Sequence, residues 1–523
     1  MLALATFGMA SAVTNVTPVA GTANPFAYGL TGEFTAANNA ASLKVSYALN
    51  TDADAVALQV LKDGEVVAEE PGLGKTKGTH TATIDLTSLL SGAEYYGNYT
   101  WQIAVTGDAK ATIEEFAKPQ FFHPRGVDVD NNFESPNFGN IYVTEGMKTT
   151  SNVYWSGTRG CNGLYIFKPD MTGVRNEVTG NYAFMGGLTV DENVATGSVK
   201  GGADLARVRV AEDGRIFVTR DNDSGKYILM AASQADLVAN DKFVDLLGTG
   251  TLDASTYAFN NAGGEFVAGP NLGFDIKGSG KNLKIVALSA QQALWVYSWK
   301  GSRIDVYELG NASVLPTPTQ IKAIEKAPTT PQSTNVTFDN RGGFWFCQYR
   351  TSPNDTNCAL AYIDANGEVK FKEGTGGKKR GGGGIRLNAD NTQIAIASSQ
   401  TTFSIYDLAY AADNTPTLTE VYNITHGIGT NVYDIAWDLA GNIYICGNSG
   451  EYMKGFALPR SEAFATKAAS KYAFVIDAAT AIDAIEVENA PVEYYNLQGV
   501  KVENPSNGIF IKKQGAKATK VVL

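Results

Sequence analysis

Apolar and polar residues alternate along residues 431–446, which read NVYDIAWDLAGNIYIC. The alternation breaks at a Gly-Asn turn and then resumes, which predicts two antiparallel strands joined by a tight turn. A two-stranded hairpin alone is marginally stable in water, so it must pack against further strands. Five other stretches repeat a short apolar strand, a turn with Gly or Asn, and a stronger strand. They begin at Arg125, Ala206, Leu272, Thr334 and Gly383.

These six hairpins predict a ring of small sheets. Most are followed by a third strand, as in GLYIFKPD at Gly163 and FSIYDLAY at Phe403. One such sheet cannot bury both of its faces, whereas six sheets stacked around an axis can. We therefore predict an all-β protein with a six-bladed β-propeller over residues 108–460. The first-strand residues predicted to lie nearest the axis are Val127, Val208, Phe274, Val336, Ile385 and Ile435.

The repeats also resemble a known propeller type. The stretches HPRGVDVDNN…GNIYVTE and YDIAWDLAGNIYIC are similar to the repeats of NHL-type propellers. The resemblance covers most of the middle of the chain. It implies the propeller fold and no particular function, because one fold hosts many functions.

Residues 24–107 carry a different pattern. The stretches SLKVSYALNTDADAVALQVLKDGEVV, HTATIDLTSLL and GNYTWQIAVTG predict four alternating strands. Their order resembles bacterial immunoglobulin-like modules of the flagellar-hook-cap type. The resemblance implies a separate Ig-like β-sandwich that acts as a spacer or an adhesion module.

The two ends of the chain point to export. Residues 1–23 are interpreted as a leader segment, because MLALATFGMASA combines a short apolar stretch with a small-x-small cleavage pattern. The alternative is a short apolar first strand. Residues 461–484 are predicted to be a connector. Residues 485–523 contain YYNLQGVKV, GIFIKK and KATKVVL, which resemble the C-terminal type IX sorting tails of secreted Bacteroidota proteins. The alternative is a small β module packed on the propeller.

The net charge and the lengths of the apolar runs exclude two classes of partner, nucleic acid and the interior of a membrane. The net charge of −11 repels nucleic-acid phosphates, so no nucleic-acid partner is expected. After the first residues no apolar run is long enough to span a bilayer, so no transmembrane segment is expected in the mature chain. With the two ends, this predicts a protein that is secreted or held on the outer surface of a Gram-negative cell.

Few residue patterns indicate catalysis or metal binding. His80, His123 and His426 lie far apart without metal-ligand spacing, so neither a metal nor another cofactor is expected. Cys347 and Cys358 flank one predicted hairpin loop, and both a disulfide and buried free thiols remain open.

The loops at one end of a propeller converge, and ligands usually bind there. Aromatic side chains at that end suit stacking on sugar faces, and a cationic cluster in GTGGKKRGGGG suits carboxylate or sulfate groups. The candidate ligand-binding residues are Arg125, Trp155, Arg207, Asn335, Tyr349, Lys378, Lys379, Arg380, Asn431 and Tyr433.

The first hypothesis for function is a non-enzymatic binding protein for a glycan or another surface polymer, either neutral or anionic. One alternative is a propeller-based hydrolase or lyase. Such an enzyme typically needs two carboxylates facing each other, whereas the starts of the predicted first strands are rich in Arg and Asn. The other alternative is a structural scaffold that binds other surface proteins.

Overall fold

Strands dominate the computed structural model of the protein. The residues it describes are 13–37, 40–90, 95–121, 123–146, 163–186, 205–220, 228–247, 252–253, 258–261, 264–266, 273–279, 282–292, 299–308, 319–325, 335–347, 360–373, 383–447, 452–461, 465–469, 473–476, 492–497, 499–506, 508–514 and 517–522. Within these ranges there are two short helices, and the predicted all-β class is confirmed.

The N-terminal part of the chain supplies the elements β1 (Thr14–Val16), β2 (Val19–Ala20), β3 (Ala27–Ala37), β4 (Ala40–Leu49), β5 (Ala55–Lys62), β6 (Glu65–Glu70), β7 (Gly78–Asp85), α1 (Leu86–Leu89), β8 (Gly97–Thr106) and β9 (Glu114–Ala117). Strands β3, β4 and β7 form one sheet, and β8, β5 and β6 lie side by side in a second sheet. Alternate residues of β4 and β5 are buried. Gly32 of β3 lies against the indole of Trp101 in β8, so the two sheets pack face to face.

The middle of the chain supplies β10 (Pro124–Val129), β11 (Ile141–Glu145), β12 (Gly163–Phe167), β13 (Leu205–Val210), β14 (Ile216–Arg220), β15 (Ile228–Ala231), α2 (Gln234–Asn240), β16 (Val244–Leu247), β17 (Leu252–Asp253), β18 (Ala258–Asn261), β19 (Gly264–Phe266), β20 (Phe274–Lys277), β21 (Lys284–Gln292), β22 (Trp299–Glu308), β23 (Thr319–Glu325), β24 (Asn335–Phe338), β25 (Phe344–Cys347), β26 (Leu360–Ile363), β27 (Val369–Lys372), β28 (Ile385–Leu387), β29 (Gln393–Ala397), β30 (Thr402–Tyr410), β31 (Pro416–Thr425), β32 (Val432–Trp437), β33 (Asn442–Gly447) and β34 (Lys454–Ala457).

In the described part of this region, six sheets repeat the same antiparallel order, starting at β10, β13, β20, β24, β28 and β32. Strands β17, β18 and β19 form a small additional sheet between the second and third of them. The six starting strands contact one another in a closed cycle, from β10 to β13, β20, β24, β28, β32 and back to β10. Sheets arranged radially around such a cycle define a β-propeller, and the predicted propeller fold is confirmed.

The N-terminal strands complete the outer parts of this ring. Strand β9 pairs antiparallel with β34. The sixth sheet, which starts at β32, therefore takes its outer strand from a segment that precedes the first sheet in the sequence. Strand β2 pairs parallel with β9, and β1 pairs parallel with β31. Residues 14–16 and 19–20, which the sequence analysis placed in a leader segment, therefore lie in propeller sheets.

An aspartate anchors the turn of two hairpins in the same way. The Oδ1 atom of Asp438 accepts hydrogen bonds from the backbone N–H groups of Ala440 and Asn442, both at 2.9 Å. The Oδ1 atom of Asp339 does the same with Arg341 at 2.9 Å and Gly343 at 2.7 Å. Asp is favoured here because its side chain satisfies the N–H groups of a tight turn.

The apolar first-strand residues lie between neighbouring sheets. Val208 packs in a cluster with residues of the preceding sheet, including Leu164, and Ile435 packs with Ala395 and Ile405 of its neighbour. The predicted position nearest the axis is therefore wrong for these apolar side chains. Successive side chains of a strand point to opposite faces, and in these strands the adjacent polar residues face the ring interior.

The C-terminal part of the chain supplies β35 (Ala465–Ala469), β36 (Phe474–Ile476), β37 (Val492–Tyr495), β38 (Lys501–Val502), β39 (Ile509–Gln514) and β40 (Lys517–Val522). Strands β37 to β40 form one four-stranded sheet. Strands β35 and β36 both pair with β8, so the predicted connector over residues 461–484 instead supplies strands to the second N-terminal sheet.

The chain divides into two units. One consists of residues 1–26 and 107–466, and the other of residues 27–106 and 467–523. No helix in the described residues is both long and apolar enough to cross a membrane.

Candidate functional site

Each of the six starting strands places a charged or amide side chain inside the ring. In the strands with the sequences VDV, VRV, FDI and IRL, this side chain lies between two apolar residues that face the neighbouring sheets. Several contacts join sheets that are not neighbours in the cycle, so they run across the ring interior. The residues of this axial cluster are Asp128, Arg209, Asp275, Asn335, Arg386 and Asp434.

Arg209 lies at the centre of the axial cluster and is completely buried. Its Nη1 and Nη2 atoms donate to the two carboxylate oxygens of Asp434, at 2.8 and 3.1 Å. Nη2 also donates to Asn335 Oδ1 at 3.2 Å, and Nε lies 3.3 Å from Asp275 Oδ1. One guanidinium thereby connects its own sheet to three others.

Arg386 joins the remaining carboxylates. It donates to Asp275 Oδ1 at 2.7 Å and to Asp128 Oδ1 at 2.8 Å. The other oxygen of each carboxylate accepts a backbone N–H of another sheet at 2.8 Å, from Phe338 and Val210 respectively. The carboxylates of the axial cluster are thus satisfied by both side-chain and backbone donors.

Burial and the nearby guanidinium groups shift the pKa values of these carboxylates in opposite directions. For Asp434, burial raises the pKa, but Arg209 and Arg207 outweigh it and the pKa lies below its usual value. For Asp128, burial outweighs the attraction of Arg386 and Arg209, so its pKa is raised. Since the arginines keep Asp434 ionised and both of its oxygens accept from Arg209, Asp434 is the principal counter-ion of Arg209.

A second polar group lies where three of the starting strands begin. The Nη1 atom of Arg207 donates to the backbone oxygen of Arg125 at 3.1 Å and to that of Tyr433. The Arg207 guanidinium carbon lies 3.9 Å from the centroid of the Tyr433 ring. We call Arg125, Arg207 and Tyr433 the mouth cluster.

Arg207 is fully buried in the mouth cluster, and its other two nitrogen atoms lack partners. Among the described residues, nothing accepts a hydrogen bond from Nε or Nη2. The ion pairs inside the ring are formed instead by Arg209 and Arg386. This leaves one edge of a buried guanidinium available for an anion.

The surroundings of Arg125 are also polar. Glu145 Oε1 accepts the backbone N–H of His123 at 2.7 Å. Burial, and then the positive charge of Arg125, lower the pKa of His123 to about 4. His123 is therefore neutral at physiological pH, and the cationic charge at this end comes from the arginines.

The structure brings together three of the ten predicted ligand-binding residues, namely those of the mouth cluster. Asn335 belongs to the axial cluster, where its Nδ2 atom donates to Asp434 at 2.7 Å. Asn431 is partly buried just before β32. The remaining candidates lie outside the described residues and are Trp155, Tyr349, Lys378, Lys379 and Arg380. Cys358 also lies outside them, so its pairing with Cys347 stays a prediction.

The list of candidate residues contained only Asn335 of the axial cluster and missed five members, Asp128, Arg209, Asp275, Arg386 and Asp434. Their signal is a charged residue at the centre of a short apolar strand, a position where charge is costly unless it is paired. In the residues that the structure describes, no group of three His, Cys, Asp or Glu side chains is placed to hold a metal ion.

No protein-family model and no curated protein matches the sequence. Comparison with solved structures gives weak similarities. One is to a structural-genomics protein of unknown function from Bacteroides thetaiotaomicron, with 11% identity, a TM-score of 0.37, and coverage of 84% of this chain and 100% of the other. A second is to the Cps50 (Swd1) β-propeller domain of Myceliophteria thermophila, with 8% identity, a TM-score of 0.34, and coverage of 66% and 99%. A third is to the C-terminal WD40 domain of Sif2, with 8% identity, a TM-score of 0.35, and coverage of 84% and 100%. At these values no property of those proteins is transferred to this chain.

Proposed function

We propose that this protein is an exported binding protein whose propeller face binds a glycan or another polymer that carries anionic groups. In this proposal the six sheets are the six blades of the propeller, and residues 27–106 belong to an Ig-like spacer or adhesion module. The C-terminal sheet is the sorting tail that directs the chain to the outer surface of a Gram-negative cell.

The observation that carries this proposal is the mouth cluster. It holds a buried guanidinium, backed by an aromatic ring, with donors that are not used inside the protein. A cation in such a place favours an anionic ligand, although the chain as a whole is acidic. Trp155, Lys378, Lys379 and Arg380, which the sequence analysis assigned to the same face, add an aromatic ring for stacking and three further cations to this proposal.

The axial cluster favours binding over hydrolysis. A hydrolase that uses paired carboxylates needs one to act as an acid and the other as a base or nucleophile. Asp128, Asp275 and Asp434 instead accept hydrogen bonds from guanidinium groups and from the backbone of other sheets. Their role is to hold the ring together.

The proposal is tested by measuring polysaccharide binding on a glycan array and by titration. We expect Trp155→Ala to weaken binding about fivefold, because aromatic stacking contributes about 1 kcal/mol. Replacing the cluster Lys378, Lys379 and Arg380 by serine should weaken binding and reduce its dependence on salt. A matched control replaces three exposed lysines of the other unit by serine, namely Lys44, Lys75 and Lys77.

If the wild type binds no polysaccharide, or if neither change affects binding, the proposal is wrong and a protein-binding scaffold is favoured. If the control triple variant loses as much binding as the cluster variant, the attraction is a property of total charge and the assigned face is wrong.

A further inference from the structure

We infer that the free edge of Arg207 is a subsite for a carboxylate group, and that the polymer bound by this protein is a polyuronate. This inference rests on the proposed function, because it names the chemical class of the ligand at the same face.

The hydrogen bonds of Arg207 define which edge is free. Nη1 is committed to the backbone oxygens of Arg125 and Tyr433. The unpaired atoms are Nε and Nη2, whose N–H bonds leave the same edge of the planar group in parallel. This pair of donors matches the two oxygens of a carboxylate, and such bidentate contacts are shorter and stronger than single ones.

The charge of Arg207 also calls for a counter-ion. A buried cation without a paired anion is strongly unfavourable, and buried N–H groups without acceptors add to that cost. Asp434 is close enough for its pKa to be lowered by Arg207, but both of its oxygens already accept hydrogen bonds from Arg209. Asp434 accepts further hydrogen bonds from Asn335 and from the backbone N–H of Val127. Since no acceptor for this edge remains among the described residues, we assign it to an acceptor from outside the chain.

Tyr433 determines the direction from which this acceptor comes. Its ring covers one face of the guanidinium, so a ligand reaches the donors in the plane of the group. In-plane approach suits a flat carboxylate with two oxygens at one edge. A halide accepts only at one point, whereas a sulfate can also present two oxygens to this edge, so sulfate is the competing anion that the experiment must distinguish.

The first experiment compares binding of glucuronate and of polygalacturonate to wild type and to Arg207→Lys. Lysine keeps the positive charge but removes the planar pair of donors. We expect about a tenfold loss of affinity, because a hydrogen bond to a charged group contributes about 1.5 kcal/mol or more. The control is Arg215→Lys, which changes another buried arginine. Arg215 lies in the turn between β13 and β14 and is paired with Asp213.

A second measurement needs no substitution. In selectively ¹⁵N-arginine-labelled wild-type protein, the Nε–H resonance of Arg207 should shift on addition of glucuronate and should not shift with equal concentrations of chloride or glucose. An equal response to sulfate, or no response of the Nε–H resonance to glucuronate, would overturn the carboxylate assignment.

The outcomes separate this inference from the proposed function. Polysaccharide binding that depends on Trp155 but is unchanged in Arg207→Lys would leave the proposed function in place and refute the subsite. A third outcome is that wild type binds glucuronate, Arg207→Lys does not, and wild type binds no polysaccharide. This outcome would support the carboxylate subsite and refute the proposal that the ligand is a polymer. Equal binding of polyglutamate and polygalacturonate would replace the glycan by an acidic peptide and overturn the inference.

Discussion

At the scale of single residues, the axial cluster explains how six sheets without covalent closure hold one arrangement. Arg209 belongs to the second sheet and reaches Asp275, Asn335 and Asp434 in the third, fourth and sixth. Buried ion pairs contribute little net stability compared with apolar packing, but breaking one leaves an uncompensated charge. The cluster therefore favours one order of sheets more than it stabilises the ring.

We expect Arg209→Met to destabilise the protein by about 3 to 5 kcal/mol, because Asp434 then remains buried without its principal counter-ion. Combining it with Asp434→Leu should recover part of this loss, since no unpaired charge remains. Urea unfolding followed by tryptophan fluorescence measures both changes. Equal stability of Arg209→Met and wild type would show that the cluster is not energetically coupled.

His426 gives a prediction for pH dependence. Burial, and then the charge of Lys454, lower its pKa in the folded protein from 6.5 to about 4. As the pH falls below 6.5 the unfolded chain binds the proton first, so folded-state stability decreases until about pH 4 and is unaffected by this group below that. The loss has an upper limit of about 1.4 kcal/mol per pH unit.

Replacing His426 by glutamine should remove this component. The difference in unfolding free energy between pH 7 and pH 4.5, measured by urea titration, should be smaller in His426→Gln than in wild type. His80→Gln is the control, because His80 is only half-buried whereas His426 is buried. An identical pH dependence in wild type and His426→Gln would contradict the assigned pKa shift.

The residue scale also shows what the sequence could predict. Alternation of apolar and polar residues located the strands, and Gly and Asn located the turns between them. The pairing of Arg209 with Asp434 was not, because these residues are separated by 225 positions and meet only when the ring closes. Arg207 was identified as a candidate from its position at a strand start, but its free edge depends on the backbone oxygens of Arg125 and Tyr433.

At the scale of elements, strand β9 closes the ring between the two ends of the propeller region. It lies between β2 and β34, so it has hydrogen-bonded neighbours on both sides. Its sequence EEFA has only four residues and no adjacent turn partner, which explains why the sequence repeat did not reveal it. The chain continues from β9 into β10 of the first sheet, so the hydrogen bonds between β9 and β34 connect the last sheet to the first.

Interrupting β9 should therefore weaken the ring. We expect Glu115→Pro to destabilise the propeller by about 3 kcal/mol, because proline removes a donor and disrupts an interior strand. Glu115→Gln is the matched control, since it removes only the ion pair with Lys454 at 2.7 Å. Hydrogen exchange of β32 to β34 should accelerate in Glu115→Pro and stay near the wild-type rate in Glu115→Gln. Equal exchange in both variants would show that β9 does not close the ring.

At the scale of the whole molecule, the unit containing residues 27–106 is built from two distant parts of the chain. The strands β3 to β8 precede the propeller region, whereas β36 follows it and pairs with β8. Phe474 of β36 stacks on Phe34 at 5.0 Å and on Tyr99 at 5.3 Å, so it supplies part of the apolar packing of this unit. The sequence pattern of residues 24–107 predicted a complete sandwich. It could not show that one edge of β8 needs a further strand, because the order of the strands in the sheet is not visible in the sequence.

A truncation tests this organisation. Removing residues 462–523 deletes β35 and β36, exposes the edge of β8 and removes the Phe474 ring. Exposed edge strands and lost apolar packing both destabilise a sheet, so residues 27–106 should become the first site of cleavage in limited proteolysis. The control ends at residue 491, which removes only β37 to β40 and keeps the strands that pair with β8. Since the propeller region retains its ring in both, its protease resistance should be the same in the two truncated chains. Resistance of residues 27–106 in the shorter chain would show that they fold without β36, as the sequence alone had predicted.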